Sequence, residues 1–122
     1  MYYLLILNLI IPLVMFIVGY ILKKNPVKDM NSSNGYNTPT SRKSEEHWKY
    51  AQSIAPDIFI NQSKILAIVE LVLNAILLVL KIPIRYSLLV GIIIGFIFLI
   101  FSFYKTENKI NSKFINNWFW II

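Results

Sequence analysis

The side chains able to do chemistry in this chain are few, and one of them stands out by its surroundings. Glu70 lies inside an apolar stretch, with Asn74 one helical turn later on the same face. Asn8, inside the first apolar stretch, is a third candidate for the same polar seam. An ionisable group in a spanning helix costs roughly 3 kcal/mol on insertion scales, so it is expected to face the bundle interior or a water-filled cavity. Two readings of the seam stay open. It binds a cation, a proton or a basic group of a peptide, or it hydrogen-bonds across the bundle and only fixes helix packing.

A second group, Ser44, Glu46 and His47, invites comparison with nucleophilic catalysis. On a helix Ser44 and His47 meet at i,i+3 whereas Glu46 points away, which describes a solvated polar face better than a triad. His47 is the only histidine and there is no cysteine, so no metal site is assigned and thiol chemistry is excluded. The sequence holds no phosphate-binding loop, dinucleotide fingerprint or metalloprotease helix. The expectation is a protein that is not an enzyme and carries no cofactor.

The elements that must position these residues follow from composition. Of 122 residues, 57% are hydrophobic and 15% charged. A chain this short cannot bury so much apolar surface in one core, so the surplus must face lipid. Residues 1–22 carry no charge and would make about 33 Å of helix, enough to cross the hydrocarbon core. With no basic residue ahead of the run and Lys23-Lys24-Asn25-Pro26 after it, this reads as a retained span, not a cleaved leader. A second span is expected over 63–81, its apolar run Ile65 to Leu80 lying between Lys64 and Lys81, which can snorkel, and a third over 86–104. The short link between them makes the last two spans antiparallel neighbours. The fold class is therefore all-α integral membrane, one membrane domain with three transmembrane helices.

Charge orients the spans. Lys23, Lys24, Lys28, Arg42, Lys43, Lys49 and Lys64 flank or occupy the 23–62 loop, and Lys105, Lys109 and Lys113 lie in the 105–122 tail. The hairpin holds only Lys81 and Arg85, which predicts a cytoplasmic loop and C-terminus with the N-terminus outside. Within the loop, residues 30–40 are turn chemistry. From Ser41, taken as an N-cap, to a stop at Pro56 the pattern turns helical. Trp48, Ala51, Ile54, Ala55 and Ile58 share one face, which predicts an amphipathic interfacial helix anchored in the bilayer by Trp48. Ile110, Phe114, Trp118 and Ile121 repeat that pattern in the tail. Membrane lipid accounts for the basic loop without direct nucleic-acid binding, for which no reading helix is present. Gly91 and Gly95 form a Gly-x-x-x-Gly that would allow a homo-oligomer.

The loop stretch Asn31-Ser32-Ser33-Asn34-Gly35-Tyr36-Asn37-Thr38-Pro39-Thr40-Ser41, with Trp48 and Ala51-Gln52 after it, resembles the signature of the SdpI family. These are bacterial membrane proteins tied to immunity against secreted peptide toxins. Matching positions are Asn31, Gly35, Tyr36, Thr38, Pro39, Ser41, Trp48 and Ala51, with Glu107 and Phe114 similar to the family's closing segment. Asn37 stands where the family usually has arginine, and Gln52 where asparagine is common. Arg42 is a candidate substitute for the missing guanidinium.

The resemblance implies a protein of the bacterial cell membrane that confers bacteriocin resistance, with a peptide toxin as partner. Capture of the peptide at the Asn8–Glu70–Asn74 seam is the expected mechanism. Alternatives are a tether whose loop recruits a cytoplasmic transcription regulator, or a small transport component coupled through Glu70.

Overall fold

The computed structural model describes residues 2–30 and 34–121, with side chains described at 3–30 and 34–114. All regular structure among them is helical. A 3₁₀ segment over Tyr2–Leu9 continues into helix α1, Ile10–Lys24, followed by α2, Glu45–Val79, and α3, Ile84–Ile121. All three helical runs are long and apolar enough to cross a membrane. Their outer faces are consistent with that solvent: Tyr3, Ile6, Ile68, Val79, Ile100 and Tyr104 are all more than 60% exposed. So many large apolar groups facing outward suit lipid and not water.

Two expectations need correction. The loop does not fold as a separate interfacial helix ending at Pro56, because α2 runs unbroken from Glu45 through the buried Pro56 to Val79. An internal proline removes one backbone hydrogen bond and crowds the carbonyl four residues earlier, a penalty that packed membrane helices tolerate. Here α1 presses against that point, since a Cβ on Gly19 would lie 3.3 Å from the Pro56 carbonyl oxygen and 2.9 Å from Ile60. The tail likewise is no separate helix, as α3 continues to Ile121. The side chains of Trp118 and Ile121 lie outside the described residues. At about 52 and 57 Å, α2 and α3 outrun a hydrocarbon core of about 30 Å and project together beyond it at the loop end.

The N-cap of α2 is Ser44, whose hydroxyl accepts from the His47 backbone N–H at 3.1 Å, with Glu45 and Glu46 in the first turn. Ser41, expected in that role, works inside the loop. At the other end the helix closes as a Schellman turn: Ile82 N–H donates to the Leu77 carbonyl and Lys81 N–H to that of Leu78, both at 3.1 Å. Lys81 holds the positive φ, 55°, usually taken by glycine, and Pro83 then prevents continuation.

A row of small residues seats α3 in the bundle. Ser87, Gly91, Gly95, Ser102 and Thr106 are all buried. The hydroxyls of Ser87, Ser102 and Thr106 donate back to carbonyls four residues earlier, so they carry no unpaired polarity into the interior. The two glycines are filled by the first helical run. A Cβ at Gly91 would fall 2.2 Å from Asn8, and one at Gly95 would fall 2.6 Å from Ile11. The Gly-x-x-x-Gly face expected to pair two copies is thus occupied within the chain.

Candidate functional site

Asn8 and Asn74 tie the three helices together. Asn8 Nδ2 donates to Asn74 Oδ1 at 2.8 Å and to the Ser87 carbonyl at 3.3 Å, and Asn74 Nδ2 donates to the Leu5 carbonyl at 3.0 Å. Because both partners of Asn8 Nδ2 are acceptors, the amide orientation is fixed, and Asn8 Oδ1 is left buried without a donor. This clasp spans the first helical run, α2 and α3 beside the Gly91 notch.

Glu70 stands apart from it. The side chain is completely buried, and neither carboxyl oxygen has a hydrogen-bond partner. No hydrogen bond joins the Glu70 carboxyl to Asn74 even though both share a face. The expected three-residue seam is therefore a paired clasp, Asn8–Asn74, and a solitary acid one turn away. An unpartnered buried acceptor is costly, about 1–3 kcal/mol for a neutral group and more for a charged one. Such a group is the exception in a folded interior.

The loop is built on opposite lines, with its polar groups paired. Gln52 on α2 accepts from the Tyr36 N–H at 2.9 Å and donates to the Tyr36 carbonyl at 2.6 Å, reading the backbone as a strand neighbour would. Gly35 holds φ at +83°, and a Cβ there would meet Gln52 Oε1 at 2.5 Å, so glycine is required for both reasons. Ser41 Oγ accepts from Thr38 N–H and donates toward the Tyr36 and Thr38 carbonyls, while Ser41 N–H returns to Thr38 Oγ1. Pro39, exposed, stiffens the turn between them. Tyr36 itself is buried, stacked on Phe103 and donating its hydroxyl to Glu107 at 2.8 Å, so the loop is latched to α3. The Thr38 and Thr40 hydroxyls approach the same carboxylate. Burial first, and Glu107 second, push the Tyr36 phenol above its ordinary value of 10.0.

Trp48 belongs to this plug and is no lipid anchor. It is 1% exposed, donates Nε1 to the Val27 carbonyl at 3.1 Å, and lies under the Arg42 guanidinium. Arg42 also donates Nε to Asn37 Oδ1 at 2.5 Å and a terminal N–H to the Met30 carbonyl, so its guanidinium lies against the side chain of Asn37. Ala51 and Ala55 pack with Tyr36, Ile110 and Phe114. Ser44 Oγ and His47 Nδ1 meet at 2.7 Å, with the imidazole stacked on Phe114 at 3.8 Å, while Glu46 is exposed. That pair caps and packs a helix end.

Of the residues singled out from sequence, Gly35, Tyr36, Thr38, Ser41 and Trp48 converge in the plug, and Asn8 joins Asn74 in the clasp. Asn31 lies outside the described residues. The Gln52–Tyr36 pairing and the Tyr36–Glu107 latch are invisible in the sequence, since contacts across 16 and 71 residues leave no local pattern. The small-residue row on α3 was detectable through its four-residue spacing. Beside Tyr36 an apolar cleft of about 320 Å³ opens between the helices, lined by Val18 and Gly19 of α1, Phe59 of α2 and Leu99 and Phe103 of α3.

Among the described residues no cluster of His, Cys, Asp or Glu could hold a metal ion. The model of the SdpI/YfhL protein family matches residues 28–104, which take in the loop residues of the plug, Glu70, Asn74 and the apolar part of α3 as far as Tyr104. None of the curated proteins and none of the solved structures matches the chain.

Proposed function

The chain belongs to the SdpI/YfhL protein family, and we propose that it protects a bacterial cell from a secreted peptide toxin by binding the peptide within the membrane. The observation that carries the binding reading is Glu70, a fully buried carboxyl group with no partner for either oxygen. A basic side chain or amino terminus of a peptide would supply the missing donor, and inside a bilayer that pairing is strengthened by the low dielectric. Glu70 has no exposed surface, so the peptide reaches it only by parting the helices beside it, and exposed Ile and Leu along the helices offer the peptide an apolar surface. In this reading the protein is a binder and not an enzyme, and it sits in the bacterial membrane with the N-terminus outside and the loop and tail cytoplasmic. Because the chain has no cysteine, single introduced cysteines at exposed Asn34 and Ser112 would test that orientation by labelling from one side.

The deciding experiment is survival of a sensitive strain expressing the protein, challenged with a panel of secreted peptide toxins. Wild-type protection against a toxin, lost in Glu70→Gln with the protein still in the membrane, is the expected result. Full protection by Glu70→Gln would remove Glu70 from the mechanism, and no protection by the wild type would remove immunity.

One observation favours tethering as a second reading. Where α2 and α3 project past the apolar spans they form a rigid surface with Glu45, Glu46, Lys109 and Lys113 exposed, suited to a soluble regulator. Charge reversal at Glu46 and Lys109 should then abolish recruitment of that regulator and leave toxin protection intact.

A further inference from the structure

Just beyond the apolar part of α1, a pocket of about 420 Å³ opens between the end of that helix, the following loop and α2. Its charged lining is Lys23, Lys28 and Lys49 with a single carboxylate, Asp57. Lys23 and Asp57 pair with each other at 2.8 Å, so the pocket's remaining charge is that of Lys28 and Lys49, both exposed. Its floor includes Gln52 and Pro56. Gln52 is committed to the Tyr36 backbone and Pro56 lies in the tight α1–α2 crossing, so the floor is rigid.

The same Pro56 also lines the apolar cleft beside Tyr36, and the neighbouring α1 residues Leu22 and Lys23 fall one in each. A cationic pocket just past the apolar part of α1 therefore adjoins an apolar cleft beside that apolar part, the order in which a phospholipid presents its head group and its acyl chains. We infer that these two cavities together bind one anionic phospholipid, with the phosphate held by Lys28 and Lys49 and a chain in the cleft. A free phosphate would satisfy only the lysines, and a zwitterionic lipid would bring its own cation against them. The two-part complementarity selects an anionic amphiphile. Lys23, held by Asp57, keeps the end of α1 in register at the pocket's rim.

The inference is independent of toxin binding and is tested on the full chain in detergent, titrated with phosphatidylglycerol or phosphatidylcholine while bound lipid is counted by native mass spectrometry. One retained phosphatidylglycerol is expected, in preference to phosphatidylcholine. Each lysine near the surface is worth roughly 5-fold in affinity, so Lys28→Gln with Lys49→Gln should weaken retention about 25-fold. The charge-matched pair Lys105→Gln with Lys109→Gln, exposed on α3, should leave retention unchanged. Glycerol 3-phosphate at equal concentration should not displace the lipid. Equal retention of the two lipids, equal loss in both double variants, or displacement by glycerol 3-phosphate would each overturn the inference.

Discussion

The loop plug and the intramembrane seam handle polarity in opposite ways. In the plug, Tyr36, Thr38, Ser41, Gln52 and Trp48 each give or accept hydrogen bonds within the protein, and Gly35 is the residue that lets them close together. In the seam, three buried oxygens have no partner, one on Asn8 and two on Glu70. Complete pairing rigidifies, whereas an unpaired buried group is costly and exceptional. The residues carrying the family resemblance are largely architecture, whereas the unpartnered acid sits in the helix behind them.

Substitutions can break or sharpen this contrast, and the largest effect is expected in the plug. Trp48→Ala should cost about 3–5 kcal/mol, because it opens a large hole in a fully packed site and strands the Val27 carbonyl. Denaturant unfolding of the detergent-solubilised chain reads this, and a cost near zero would mean that Trp48 faces lipid after all. Gly35→Ala should follow at about 1–3 kcal/mol in the same assay, from the strained φ and the clash with Gln52.

Tyr36→Phe should cost about 1 kcal/mol at neutral pH through the lost hydrogen bond to Glu107. Its pH dependence gives a sharper signature. The folded phenol titrates above its unfolded value of 10.0, so its contribution is fully present below about pH 10 and is lost as the pH rises beyond it. The gap between wild type and Tyr36→Phe should therefore narrow at alkaline pH, and a constant gap would place the phenol in water. In the seam the effects shrink. Asn74→Leu should cost about 1 kcal/mol, the usual size for hydrogen bonds between membrane helices. Glu70→Leu should cost nothing or stabilise, since it removes an unpartnered buried group.

Much of this architecture is legible in the sequence, and the misreadings share a cause. Charge-free runs and flanking lysines locate the spans because lipid tolerates little else. Of the face expected from Trp48, Ala51, Ile54, Ala55 and Ile58, all are buried except the half-buried Ile54. What that face meets is another matter: periodicity shows that a stripe is covered, not whether lipid or protein covers it. The same gap turned Gly91 and Gly95 into a dimer face when Asn8 and Ile11 already fill it. Pro56 reads as a stop because local propensity knows nothing of the neighbouring helix that holds α2 together. Glu70 and Asn74 share a face as their spacing says, yet only Asn74 bonds to Asn8, because spacing along one helix does not say which residue a neighbouring helix reaches.

On the proposed function, Glu70 is dispensable for folding and required for binding. The most direct measurement takes Glu70→Gln and records, in the same strain, the unfolding midpoint of the purified protein and survival against a toxin that the wild type resists. An unchanged midpoint with protection lost is the predicted result. Protection retained, or a midpoint lowered as far as that of Trp48→Ala, would contradict it.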